Sequence, residues 1–121
     1  MIRKFTLAII ALSAATQAAT AQTLTAASGI KTLVAHHERH DAQCHFFTVT
    51  IRVTSPPAHG KLAVQREQVP VDGQCRAGAG VRIYYQSTRG FVGEDSFSYL
   101  RISNDGSDRF NGEVSRTISV R

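Results

Sequence analysis

The sequence lacks the features that mark helical, membrane-spanning and many enzymatic proteins. After residue 21, no stretch of ten or more residues has the apolar spacing of a helix, and no hydrophobic run is long enough to cross a bilayer. It also has no internal repeat, no Gly-x-Ser-x-Gly nucleophile elbow and no glycine-rich phosphate loop. These absences argue against a helical bundle and favour a non-enzymatic protein that needs no cofactor.

The beginning of the chain predicts a cleaved signal peptide. Arg3 and Lys4 give it a positive start, residues 5–15 are mostly apolar, and a small-x-small pattern ends at Ala21. We therefore expect residues 1–21 to be removed by a signal peptidase. No transmembrane span is expected after this cleavage, and the predicted location is the periplasm or the extracellular medium.

Cysteine is scarce, and this scarcity is informative. Cys44 and Cys75 are the only two cysteines, and both follow the expected cleavage point. An exported chain meets an oxidising compartment, where such a pair favours a disulfide over two buried, unpaired thiols. In the chain-entropy model, closing a loop of about thirty residues stabilises a fold by roughly 3 to 4 kcal/mol. We predict that Cys44 and Cys75 form a disulfide.

The net charge is only mildly basic. It is +5 for the whole chain, and losing Arg3 and Lys4 leaves +3. The remaining basic residues are spread along the sequence, which is typical of a solvated surface. Export argues against nucleic acid as a partner, whereas a positive field attracts anionic surfaces without needing a pocket. The partners that we consider are an unidentified envelope protein and an anionic surface polymer.

Alternating apolar and polar residues predict an all-β fold. Strands are predicted over residues 46–54, 61–65, 81–86, 96–99 and 113–120, with turn signals such as Asn104-Asp105-Gly106 between them. Residues 22–29 are predicted to be a flexible leader, and residues 30–35 either a strand or one turn of helix. The alternation is interrupted at residues 100–102, which predicts a bulge or an edge position. Short strands with this spacing are typical of a β-sandwich or a small barrel.

Two segments resemble motifs of a known family. Residues 85–99, YQSTRGFVGEDSFSY, resemble the Y-x-P-x-x-G-F-x-G-x-D-S-F-x-Y signature of bacterial immunoglobulin-like, cadherin-like domains. Residues 57–62, PAHGKL, are similar to the P-x-x-G-x-hydrophobic motif that opens the same domain, and Ser87 stands where the signature has proline. The matching positions are Pro57, Gly60, Tyr85, Gly90, Phe91, Gly93, Asp95, Phe97 and Tyr99.

The resemblance implies a fold and a role. The expected fold is an immunoglobulin-like antiparallel β-sandwich over residues 30–121, preceded by the cleaved signal segment. Domains of this family usually occur as tandem repeats in large surface and adhesion proteins. The resemblance therefore implies a non-enzymatic binding or structural module of the bacterial envelope.

The signature also has a physical interpretation of its own. Gly90 and Gly93 permit backbone conformations that a side chain would penalise, and Phe91 is expected to lie between the strands. Asp95 is expected to accept backbone N–H bonds and to hold its loop closed. Phe97 and Tyr99, two apart on a strand, are expected to face the core together.

A histidine-rich segment supports a different function. It contains the candidate metal ligands His36, His37, His40 and His45. His36 and His40 stand four apart, so a turn of helix would bring both imidazoles to one Zn²⁺ or Cu²⁺ ion. A solvated loop that collects histidines, and pH sensing by the cluster, are the other interpretations. The alternative function is therefore a small periplasmic metal-binding protein.

Overall fold

The computed structural model describes residues 23–71 and 73–121, which form seven strands in two sheets and no helix. The predicted signal peptide, residues 1–21, lies outside the described residues. The strands are β1 (Leu24–Ala26), β2 (Thr32–His37), β3 (Val49–Ser55), β4 (Gly60–Val69), β5 (Gly78–Ser87), β6 (Gly93–Ser103) and β7 (Gly112–Val120).

The two sheets pack over one core. The first has four strands in the order β1-β7-β6-β3, and the second has three in the order β2-β5-β4. Neighbouring strands are antiparallel, except that β1 runs parallel to β7. The core takes residues from both sheets, and its largest fully buried side chains are Ile83, Tyr85, Phe97, Tyr99 and Ile118. The fold is all-β, and this arrangement fits the predicted β-sandwich.

The prediction of a bulge or an edge position at residues 100–102 is wrong, because these residues lie within the regular, interior strand β6. The burial pattern keeps its two-residue period through this stretch, because Tyr99 and Ser103 are buried and Ile102 is exposed. Strand β6 is also interior, since β3 and β7 flank it. The alternation in the sequence is interrupted because Arg101 occupies an inward position. The irregularity in pairing lies on β3 instead, between Val53 and Ser55.

The prediction of a flexible leader over residues 22–29 is wrong for Leu24–Ala26, which form a strand. Leu24 pairs with Ile118 and Ala26 with Val120, so this segment forms β1. Ala26 is buried in the core, and Leu24 packs against it. The segment is rich in Thr, Ala and Ser and has no strand periodicity, so only the distant partner β7 makes it a strand. For residues 30–35 the strand alternative is correct, because β2 covers Thr32–His37.

The predicted disulfide is present. Cys44 and Cys75 are bonded, with their Cα atoms 5.5 Å apart, and no free cysteine occurs in the part of the chain described. The bond joins the segment after β2 to the connection between β4 and β5. Nearby, Phe46 lies so close to Gly78 that a Cβ there would overlap its ring.

No helix within residues 23–71 and 73–121 is long and apolar enough to span a membrane.

Candidate functional site

The signature residues meet at the carboxylate of Asp95, which is 5% exposed. Its Oδ1 atom accepts hydrogen bonds from the backbone N–H groups of Ala58 and Ser96, both at 2.9 Å. Its Oδ2 atom accepts one from the N–H of His59 at 3.0 Å and one from the hydroxyl of Tyr85 at 2.8 Å. One buried carboxylate therefore joins the two motifs that are far apart in the sequence.

These contacts decide the charge state of the cluster. Burial alone would raise the pKa of Asp95, but the hydrogen bonds from Tyr85, His59, Ser96 and Ala58 together outweigh it and lower the pKa. Burial raises the pKa of Tyr85, and its hydrogen bond to Asp95 and the negative charge there raise it further. The pair is a carboxylate and a neutral phenol at neutral pH. Because four donors occupy the carboxylate, its role is to hold the turn at residues 58–59, a part of the chain outside its own loop.

Two glycines and an aromatic pair complete the loop before β6. Gly90 and Gly93 have φ angles of +91° and +139°, a region in which a side chain is strained. The ring of Phe91 stacks on the ring of His59, with centroids 4.1 Å apart and an interplanar angle of 8°. Phe91 packs only partly against the core. It therefore covers the turn that contains His59 rather than lying between the strands.

Gly60 is required for a steric reason. A Cβ atom at Gly60 would lie 2.7 Å from the backbone oxygen of Gln86 and 2.8 Å from Cε2 of Tyr85. Strand β4 starts at this residue and pairs there with Ser87. The close approach brings the first motif against the Tyr85 ring, next to Asp95.

Ser87, which stands at the proline position of the family signature, has a local role. It is 5% exposed, and its Oγ atom accepts a hydrogen bond from the N–H of Gly29 at 2.8 Å. The neighbouring Gln86 side chain donates to the carbonyl oxygen of Gly29 at 2.9 Å. These bonds attach the connection between β1 and β2 to the end of β5. Proline has no hydroxyl and could not make the first of them.

The structure brings three of the four candidate metal ligands, His36, His37 and His40, to the border of one open cavity, but it does not point them at a common ion. His36 and His37 are adjacent on β2, so their side chains point to opposite faces of the sheet. Nδ1 of His40 is 2.7 Å from Glu38, and Nδ1 of His45 is 3.0 Å from Asp41. The helical turn expected to join two of these histidines is not formed, because residues 32–37 are extended. Within the described ranges, no three His, Cys, Asp or Glu side chains are placed to hold a metal ion.

His37 belongs to a polar group at one end of the sandwich. Its Nε2 atom is 2.7 Å from the Tyr99 hydroxyl oxygen, and its Nδ1 atom is 3.4 Å from Nη1 of Arg101. The Arg101 guanidinium lies over the ring of Phe110 at 4.2 Å and donates from Nε to the Phe110 carbonyl oxygen. Because Arg101 can only donate, this geometry makes Nδ1 of His37 the acceptor and places its proton on Nε2.

The surroundings of His37 keep its imidazole neutral. Its pKa is lowered from 6.5 to about 4, first by burial and then by the positive charges of Arg101, Arg116 and His36 in that order. The group borders an open cavity of about 250 Å³. A general base works best with a pKa near the operating pH, so His37 is poorly suited to that role. This group could not be predicted from the sequence, because its members lie on β2, on β6 and in the loop after β6.

Comparisons with known proteins bear on the fold alone. No protein-family model matches the sequence, and no curated protein sequence matches it. Among solved structures, the solution structure of amebosin is similar, with a TM-score of 0.50 and 15% sequence identity. The match covers 82% of this chain and 88% of the amebosin chain. At this identity the similarity concerns the arrangement of strands and does not extend to function.

Proposed function

We propose that this chain is an exported, non-enzymatic immunoglobulin-like domain that serves as a binding or structural module of the bacterial envelope. The observation that carries the proposal is the Asp95 carboxylate, on which both motifs of the family resemblance converge. The residues that make this sequence distinctive hold the sandwich together and are not arranged around a substrate. Binding is then a property of the surfaces of the sandwich and not of its signature residues.

The arrangement of strands supports the immunoglobulin-like assignment. Strands β2, β5 and β4 form one sheet and β3, β6 and β7 lie in the other, as strands B, E, D and C, F, G do in a constant-type immunoglobulin domain. One difference concerns the first strand, which here lies in the sheet of β7, β6 and β3. In the constant-type domain it lies in the other sheet.

Export is supported by two independent features. The first is the signal-like sequence that ends at Ala21. The second is the disulfide between Cys44 and Cys75, a bond typical of proteins that fold outside the reducing cytosol. The metal-binding alternative has no comparable support, because within the described residues no three His, Cys, Asp or Glu side chains are placed to hold one ion.

Expression of the full chain with a C-terminal tag in a Gram-negative host tests the proposal. We expect the tagged chain in the periplasm or the medium, with an intact mass that starts at Gln22 and includes the disulfide. A variant with Ala21→Leu and Ala19→Leu should accumulate as precursor, because the peptidase needs small residues there. Full-length wild-type chain in the cytoplasm with two free thiols would contradict export.

The binding role needs a separate measurement. We expect photo-crosslinking from surface positions of the exported chain to give an adduct with an envelope protein or an anionic polymer. A variant with Asp95→Ala, which removes the central acceptor of the fold, should lose the adduct together with the folded structure. Reproducible catalytic turnover by the pure chain would contradict the non-enzymatic role.

A further inference from the structure

One edge of the four-stranded sheet is only half covered. Strand β7 has nine residues, and the last three of them pair with β1. Among the residues that the structure describes, the other six, Gly112–Thr117, have a neighbouring strand on the β6 side alone. The unpaired N–H and C=O groups of such an edge are a template for another strand.

A groove of about 670 Å³ follows this edge. Leu24, Val34 and Phe97 line it where it borders the core, and Ser115, Arg116 and Thr117 line it from β7. Phe97 and Val34 are core residues, 1% and 8% exposed. A strand added here would therefore place alternate side chains against the margin of the core.

The charge along this edge is positive on the inward side. Arg116 lies opposite Phe97 and so projects to the core side of the sheet, whereas Ser115 and Thr117 project to the outer side. Arg116 is exposed and donates only to the carbonyl oxygen of its neighbour Ser115, at 3.1 Å. Within the described residues no carboxylate forms an ion pair with Arg116 or with the inward-facing Arg101.

We propose that this edge is the docking site of an extended acidic peptide segment of an envelope protein, which adds as a strand beside Gly112–Thr117 in line with β1. A carboxylate at the inward-facing position of the peptide beside Arg116 pairs with its guanidinium. Small polar residues at the outward-facing positions lie beside Ser115 and Thr117, because Glu113 on that face repels acidic ones. Main-chain hydrogen bonds supply affinity and the alternate side chains supply specificity.

The inference rests on the proposed export. Cleavage after Ala21 leaves only Gln22 and Thr23 ahead of β1, too few residues to cover a six-residue edge. The experiment therefore uses chain recovered after export, and its mass is measured first. If the chain is not cleaved at Ala21, the export proposal fails before any peptide is added. If it is cleaved and does not bind, only the docking proposal fails.

The probe is a blocked six-residue peptide that alternates aspartate with threonine, and the control peptide has lysine in place of aspartate. We expect the acidic peptide to bind wild type and the lysine peptide not to bind. R116A should weaken binding about twofold to fivefold, as expected for one exposed charge pair. R116E should abolish it and favour the lysine peptide. R52E, which makes the same charge change on the exposed face of β3, should bind like wild type.

Amide hydrogen exchange locates the peptide. On binding we expect alternate amides of residues 112–117 to gain protection, and those of the edge strand β3 to remain unchanged. The proposal is overturned if this edge gains no protection or if R52E weakens binding as much as R116E does. It is also overturned if an anionic polysaccharide such as polygalacturonate competes fully without protecting any amide, since that behaviour would be general attraction of anions. Circular dichroism establishes that R116A, R116E and R52E are folded.

Discussion

The backbone N–H of His59 donates a hydrogen bond to Oδ2 of Asp95 at 3.0 Å, across 36 residues of sequence. The same oxygen accepts the hydroxyl of Tyr85. The turn before β4, the strand β5 and the start of β6 are thus fixed to one another by a single side chain. The two short motifs act together, because residues 57–62 supply backbone N–H donors and residues 85–99 supply the carboxylate that accepts them.

Replacing Asp95 with Asn should cost about 3 kcal/mol of unfolding free energy at pH 7. Asn would turn an N–H donor toward groups that themselves donate, leaving buried polar groups unsatisfied. Because folding lowers the pKa of Asp95, its contribution is complete above the unfolded value and is lost as the pH falls through the folded value. Urea unfolding at pH 7 and pH 2.5 should therefore show a much smaller difference at the lower pH. D108N, an exposed control, should behave like wild type at both.

Glycine substitutions at the first residues of two strands should differ sharply. G60A should destabilise the fold by about 1 to 3 kcal/mol, because its Cβ would press on the backbone of Gln86 and the ring of Tyr85. G112A is the matched control, since β7 also begins with glycine and no atom lies within 4 Å of a Cβ there. It should leave stability unchanged within about 0.5 kcal/mol. Thermal unfolding of both variants decides the matter, and equal effects would contradict the steric explanation.

Removal of the disulfide should cost roughly 3 to 4 kcal/mol, because the bond closes a loop with a sequence separation of 31 residues. Cys44 also has a φ angle of +61°, a conformation that Asn tolerates better than Ser. The double variant C44N/C75S should therefore be about 0.5 to 1 kcal/mol more stable than C44S/C75S. Urea unfolding of the two variants side by side measures this difference. If Ser proves as good as Asn at position 44, backbone strain at that position plays no part.

Strands with a regular two-residue pattern could be predicted from the sequence, and β1 could not. The alternation in β5 is local and visible because one face of the strand is buried, and in β7 it is visible at Ile118 and Val120. Strand β1 has three residues in a Thr- and Ala-rich segment, and its structure depends on pairing with the end of β7. Arg101 interrupted the alternating pattern of β6, and the contacts that accommodate it come from residues outside the strand. It is a charged residue at an inward position, made tolerable by Phe110 and His37 at the end of the sandwich.

In the candidate site too, contacts between residues close in the sequence could be predicted, and contacts between distant residues could not. The residue types in the signature predicted a turn closed by Asp95, but not that two of its four donors, the N–H groups of Ala58 and His59, lie in the other motif. No sequence pattern indicated the contact between His37 and Tyr99, since only the fold brings β2 against β6 there. The expected link between His36 and His40 failed because it assumed a helix where the chain pairs as a strand.

His37 should make the protein less stable in acid. Its pKa is lowered from 6.5 to about 4, so between these values the unfolded chain binds a proton that the folded chain does not. Stability therefore falls as the pH drops from 6.5 to 4, and His37 causes no further loss below that. The full shift would correspond to more than 3 kcal/mol, but partial exposure of the ring reduces the expected effect to about 1 to 2 kcal/mol.

H37Q removes this titration and serves as the test. Between pH 7 and pH 4, wild type should lose about 1 to 2 kcal/mol more than H37Q does in urea unfolding, because only wild type carries the imidazole. H36Q is the control, since His36 points to the opposite, exposed face of β2 and should leave most of the wild-type loss in place. An NMR titration of the His37 ring should give a midpoint near pH 4. A midpoint near 6.5, or equal acid losses in wild type and H37Q, would show that burial and the arginines do not hold this imidazole neutral.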